Sequence, residues 1–217
     1  MIDYSFYLCT DSDMNTEYKI DECVKQAILG GVTFVQVREK NKSYAEFLKI
    51  ALSIKKITDM YNIPLVINDN INIAIQIDAS GVHLGQNDFS CTEARKLLGN
   101  DKIIGVSVTT LNEAKKAVAD GANYLGVGAI YKSQTKKDAK VVENKEFQKI
   151  LDFSPIPIVV IGGINKNTIP NFNNMNISGY AMIRPILGQD DIVMSSKRLK
   201  KIITDYMKSW IITNVVL

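Results

Sequence analysis

Eight short runs of apolar and β-branched residues alternate along the chain with segments of helical period, and this alternation restricts the fold more than any other feature. The runs are YSFYLCTD, VTFVQVREK, IPLVIND, GVHLGQ, KIIGVSV, NYLGVGAIY, IPIVVIGG and GYAMIRPI. Between them lie amphipathic stretches such as Ser43 to Tyr61, Thr92 to Gly99 and Thr110 to Ala122. At roughly 20 to 30 residues per unit, such a chain calls for parallel strands joined by right-handed crossovers. An open doubly wound sheet and a closed (β/α)8 barrel both meet that demand. The count of eight favours the barrel, as do the polar residues at the carboxyl ends of the runs, where barrels build their sites. The 217 residues are near the short end for this fold. Short loops and a truncated third helix over Ile71 to Ile77 would account for that.

No low-complexity linker or break in composition divides the chain, and its five prolines are scattered, so residues 1–217 are expected to form a single α/β domain. A net charge of +3 with 23% charged residues has no dominant sign, so composition does not imply a nucleic-acid partner. The lysines cluster locally instead, in Tyr131 to Lys140 and Ser195 to Lys201. Cys9, Cys23 and Cys91 are an odd count at spacings that match no zinc pattern, which points to reduced thiols and a cytoplasmic location. The opening MIDYSFYLCTDSD carries three Asp and no basic segment, so a secretory signal is not expected. No apolar run approaches the roughly 20 residues needed to span a bilayer, so no membrane partner is expected. The apolar ending Trp210 to Leu217 is expected to pack on the domain or on another subunit, which leaves room for a homo-oligomer.

The strand ends carry the chemistry. In VQVREK alternate side chains share a face, so Gln36, Arg38 and Lys40 point one way and Val35, Val37 and Glu39 the other. If the valines face the helices, one amide and two cations face the barrel axis. Buried cations require an anionic partner: a ligand, or Glu39 or Asp69 in a structural network. Asp69 and Asp88 follow neighbouring strands about 4.8 Å apart, so both can approach one ion. Oxygen-only ligation by one or two carboxylates, completed by water and phosphate, is typical of Mg2+, whereas zinc would need His or Cys company that the sole His83 lacks. Asp88 could alternatively cap the fourth helix, although Ser90 or Thr92 could do the same. Asn68 adds a neutral donor and acceptor at the same rim.

Ser107 ends the fifth run, and Ser133, Thr135 and Lys136 sit in a Lys-rich loop after the sixth, of a kind that closes over anionic substrates. Lys136 is the selected cation there, because hydroxyls beside it also suit phosphate oxygens. Lys137 and Lys140 are expected as solvated surface. Gly162 and Gly163 end the seventh run and are expected to open a helix, an arrangement suited to phosphate, although a tight turn needs the same residues. Arg184, after the eighth run, is a second phosphate candidate. His83, inside an apolar strand, is expected to be a hydrogen-bonded core histidine.

Together VQVREK, IND, GVHLGQND, GVS, SQTK and IGGI, in this order and at these separations, resemble the thiamine-phosphate pyrophosphorylase family, over about Tyr7 to Leu187. The resemblance implies a TIM barrel that joins hydroxymethylpyrimidine diphosphate to hydroxyethylthiazole phosphate and releases pyrophosphate. Gln36, Arg38, Lys40 and Asn68 would contact the pyrimidine diphosphate, as would Ser107 and Lys136. Asp69 and Asp88 would hold Mg2+, and Ser133, Thr135, Gly162 and Gly163 would bind the thiazole phosphate. Two departures stand out: Arg184 where family members usually carry Ser, and Gln134 where they often carry Pro. A related tautomerase branch commonly uses a His just after the fifth strand. This chain has Thr109 there, which weakens the isomerase alternative. A non-catalytic thiazole-phosphate binding module is the third, and the intact Asp69, Asp88 and Lys136 set argues against it.

Overall fold

Alternation along each run sorts its side chains into two shells. In the first run Phe6 and Leu8 join the large apolar cluster outside the barrel, while Tyr7 and Cys9 join a smaller cluster inside it. The computed structural model describes residues 2–14, 17–132 and 140–215, with side chains described to residue 207. Its strands are β1 (Phe6–Cys9), β2 (Phe34–Val37), β3 (Leu65–Asn68), β4 (Gly81–Leu84), β5 (Ile103–Val108), β6 (Tyr124–Val127), β7 (Ile158–Val160) and β8 (Gly179–Met182). All pair in parallel in chain order, and β8 closes on β1, with Tyr7 opposite both Phe34 and Ala181. This is the (β/α)8 TIM barrel that the alternation predicts.

The helices are α1 (Ile20–Leu29), α2 (Tyr44–Met60), α3 (Ile71–Gln76), α4 (Cys91–Leu98), α5 (Leu111–Ala119), α6 (Asn144–Phe153), α7 (Arg184–Leu187) and α8 (Ile192–Val215). Val35, Val37, Leu65, Ile67, Val82 and Leu84 face outward onto this ring and are almost fully buried, each worth about 1.5 to 3 kcal/mol of transfer free energy. Three helices start with reciprocal caps, Ser43 with Glu46, Ser90 with Glu93 and Thr110 with Glu113, which satisfy backbone donors that would otherwise be orphaned. The short α3 accounts for part of the compact length, and Asn70 caps it at Ile73 N. Among the described residues no helix is long and apolar enough to cross a membrane.

Two expectations need correction. β2 ends at Val37, so Arg38 and Lys40 extend beyond it. The Arg38 amide is taken by Thr10 Oγ1 at 3.0 Å instead of a strand carbonyl, which stops the ladder. The segment after Gly163 opens no α-helix. Asn165 and Thr168 form side-chain turns, and only a single 3-10 turn (Ile169–Phe172) follows, because Pro170 and the asparagines around it favour turns. No helix N-terminus therefore faces a ligand there.

Candidate active site

A cavity of about 840 Å³ opens at the carboxyl ends of the strands, and the inward side chains of the barrel form its floor. Gln36, Arg38 and Lys40 line one side, so the alternation set up in β2 persists past the last ladder bond. Glu39 goes the opposite way, is buried, and accepts hydrogen bonds from Thr10 Oγ1 at 3.1 Å and Ser12 Oγ at 2.5 Å. Among the described residues neither Arg38 nor Lys40 forms an ion pair. Among the described residues no salt bridge ties Arg38 to Glu39 or Asp69, and two cations face the cavity.

Asp69 follows β3 with φ of 62°, a left-handed turn that Asp tolerates better than most residues. Its amide donates to His83 O at 2.9 Å, and Asn68 Nδ2 donates to Asp69 Oδ2 at 2.9 Å. Burial, then the nearby Asp88 charge, raises the Asp69 pKa, against the opposing pull of Lys40, Asn68 and Arg38. Asp88 lines the same cavity, with its Oδ2 accepting from Gly85 N at 2.6 Å. It does not cap α4, because Ser90 does. Two carboxylates lining one open cavity suit a hard dication that still has room for water and phosphate oxygens. Among the described residues no group of three or more His, Cys, Asp or Glu could hold a metal, which leaves no zinc-type site. Asp69 and Asp88 are the carboxylates of this wall that could hold a divalent cation such as Mg2+.

The floor is a row of hydrogen-bonded side chains that the sequence pattern underplays. Gln36 Nε2 donates to Tyr7 OH at 2.6 Å, and Tyr7 OH lies 2.8 Å from Tyr124 OH. His83 Nδ1 is 2.8 Å from Tyr124 OH, and its Nε2 is 2.8 Å from Ser107 Oγ. His83 is a buried, hydrogen-bonded histidine as expected, yet it faces the cavity, and burial lowers its pKa to about 4. Tyr7 and Tyr124 line the cavity although no motif singles them out. Counting alternate positions in β1 and β6 would have placed both inside the barrel. Cys9 also faces inward, with its thiol pushed up to about 12 by burial, so it offers no nucleophile.

Gly162 and Gly163 line the opposite wall at φ of 95° and 67°. A Cβ on either would come within 2.6 Å of Ala129 or Tyr131, so the close fit against the loop after β6 also demands glycine. Ser133, Thr135 and Lys136 lie outside the described residues, as does Lys137. Lys132 and Lys140, which flank them, line the cavity, and Lys140 is exposed, as expected of a solvated lysine. Arg184 is exposed at the rim as the first residue of α7. Thr109, where the isomerase branch would place its His, donates through Oγ1 to Glu113 Oε2 at 2.9 Å and serves the start of α5.

Three comparisons bear on this arrangement. The family model described as thiamine monophosphate synthase matches residues 6–186. A thiamine-phosphate synthase of Clostridium botulinum (strain Eklund 17B / Type B) is 50% identical over 200 residues, covering 92% of this chain and 94% of that one. One of Clostridium beijerinckii is 48% identical over 199 residues, with 92% and 95% covered. Among solved structures, a thiamine phosphate pyrophosphorylase from Pyrococcus furiosus superposes with a TM-score of 0.86 at 32% identity, covering 95% of this chain and 98% of that one.

Proposed function

The chain belongs to the thiamine monophosphate synthase family and is therefore a transferase; from that premise we propose that it condenses hydroxymethylpyrimidine diphosphate with hydroxyethylthiazole phosphate, yielding thiamine phosphate and pyrophosphate. The observation that carries this reading is the shared cavity wall: Asp69 and Asp88 beside Arg38 and Lys40, none of the four engaged in an ion pair among the described residues. A diphosphate with a divalent cation is complementary to that mixture of charges. A ligand without a metal would leave the two acids facing each other.

The bond that breaks joins the pyrimidine methylene carbon to the bridging oxygen of the diphosphate, and the bond that forms joins that carbon to the thiazole nitrogen. Negative charge develops on the departing oxygen. Arg38 and Lys40, which line the cavity, would meet it as cations, and Lys136 would join them. Mg2+ held by Asp69 and Asp88 would supply further neutralisation of the diphosphate oxygens. The aminopyrimidine delocalises the positive charge left on the methylene, which favours a dissociative path and requires no protein nucleophile. Gln36, Asn68 and Ser107 would orient the pyrimidine diphosphate. Ser133, Thr135 and the Gly162–Gly163 turn would hold the thiazole phosphate, with Arg184 as an additional cation at the mouth. The three buried, free thiols accord with a reducing, cytoplasmic setting.

The test is direct. Purified protein incubated with both phosphorylated substrates and Mg2+ is expected to release pyrophosphate and form thiamine phosphate, and EDTA is expected to stop it. No product, alongside a working family member as control, rejects the reading. Turnover of a thiazole carboxylate phosphate that ignores EDTA would point to isomerase chemistry instead.

A further inference from the structure

Gln36, Tyr7, Tyr124, His83 and Ser107 form one continuous string across the barrel floor, from β2 through β1, β6 and β4 to β5. Only its two ends belong to the proposed substrate contacts, and its three middle members are buried. The barrel makes specific room for them. A Cβ at Gly105 would lie 2.1 Å from Tyr124 Cζ, and one at Gly126 would lie 2.8 Å from His83 Cε1. Any larger residue at either position would displace a ring from the string.

The string has a direction. The Gln36 amide nitrogen can only donate, so Tyr7 OH accepts from it and must use its own proton elsewhere. Among the described residues Tyr124 OH is the remaining partner of Tyr7, and a buried hydroxyl proton without an acceptor is costly. Tyr124 OH, having accepted from Tyr7, passes its own proton toward His83 Nδ1. That nitrogen is then the acceptor of the imidazole, and Nε2 is the donor, facing Ser107 Oγ.

We propose that His83 is a positioning residue: protonated at Nε2 by the polarity of the string, it donates to Ser107 Oγ and so turns the Ser107 hydroxyl proton into the cavity as a fixed donor. This rests on the reading of Ser107 as a contact of the departing diphosphate. Run the other way, the string would have Ser107 donate to His83 and present only lone pairs to an anion, which would repel it.

His83 is the only histidine in the chain, so ring-15N histidine labelling reports a single imidazole. Two-bond couplings to Hδ2 and Hε1 identify the protonated nitrogen. In the ligand-free protein at neutral pH we expect Nε2–H with an unprotonated Nδ1. An Nδ1–H imidazole, or a fast mixture of the two forms, overturns the proposal. The measurement requires no turnover. A protein that shows Nε2–H but makes no thiamine phosphate would refute the functional reading and leave the tautomer standing. Tyr124→Phe keeps the ring and cuts the string. It is expected to abolish the tautomer preference and to lower kcat about tenfold, the effect of one misdirected hydrogen bond to a charged group, with little change in KM for the pyrimidine diphosphate. In a Ser107→Ala background the same substitution is expected to add almost nothing, since both act through one hydroxyl; independent, multiplicative losses overturn the proposal. If Tyr124→Phe fails to fold, the tautomer of the unmodified protein still decides.

Discussion

Asp69 combines three properties that pull against one another: a left-handed backbone, partial burial and a neighbouring like charge. Asn tolerates the same backbone and removes the charge, so Asp69→Asn separates folding from ligation. We expect the variant to fold with stability equal to or above that of the parent, because a repulsion is relieved. Its Mg2+-dependent kcat should fall by about a hundredfold or more. An unchanged magnesium titration would make Asp69 structural. His83 yields a second prediction. Its folded pKa of about 4 lies below the ordinary 6.5, so the unfolded chain binds the additional proton. Its contribution is fully present above pH 6.5 and is lost as pH falls through about 4, up to about 3 kcal/mol in all. Denaturant midpoints across that window should drop in the parent and drop less in His83→Gln. Most of the residues expected at the site line the cavity, because strand alternation assigns a face to each side chain. Tyr7 and Tyr124 are not among those expected, since an inward tyrosine reads locally like any other core aromatic.

The strand-to-helix turns show how closely stability and chemistry sit together. Ser90 and Asp88 are two residues apart in the turn after β4, yet one starts α4 while the other faces the cavity. Ser90→Ala is expected to lower stability by about 1 kcal/mol and leave the Mg2+ dependence intact, and Asp88→Asn is expected to do the reverse. Chemical denaturation and a magnesium titration on the two variants check the pair, and an exchange of phenotypes would reassign the turn. At this scale the helix bounds followed from period and caps: α2 runs Tyr44–Met60 inside the expected Ser43 to Tyr61, and α3 is the short helix foreseen. The expected helix after Gly163 failed. Apolar residues around Pro170 imitate helical spacing, but turn-forming Asn and Thr side chains compete for the backbone donors.

For the whole molecule, the closed barrel gathers residues more than a hundred positions apart onto one mouth, so ligand binding should stabilise the entire fold. Mg2+ and pyrophosphate together, at about a hundred times their joint Kd, are expected to raise Tm by roughly 5 to 10 °C. Asp69→Asn should abolish the shift, and a shift that survives EDTA would show that the anion binds without metal. What the sequence by itself determined is local and periodic: eight parallel strands, their inward and outward faces, the helix starts, and which polar residues end which strand. Each depends on neighbours within a few positions, so a linear pattern records it. The tertiary structure alone decided which ends face one another, that Glu39 turns to Thr10 and Ser12 and leaves Arg38 to the cavity, and that a tyrosine–histidine string joins Gln36 to Ser107. Those contacts form across closure of the barrel, between residues up to 117 positions apart, and no periodicity along the chain encodes a distance between strands.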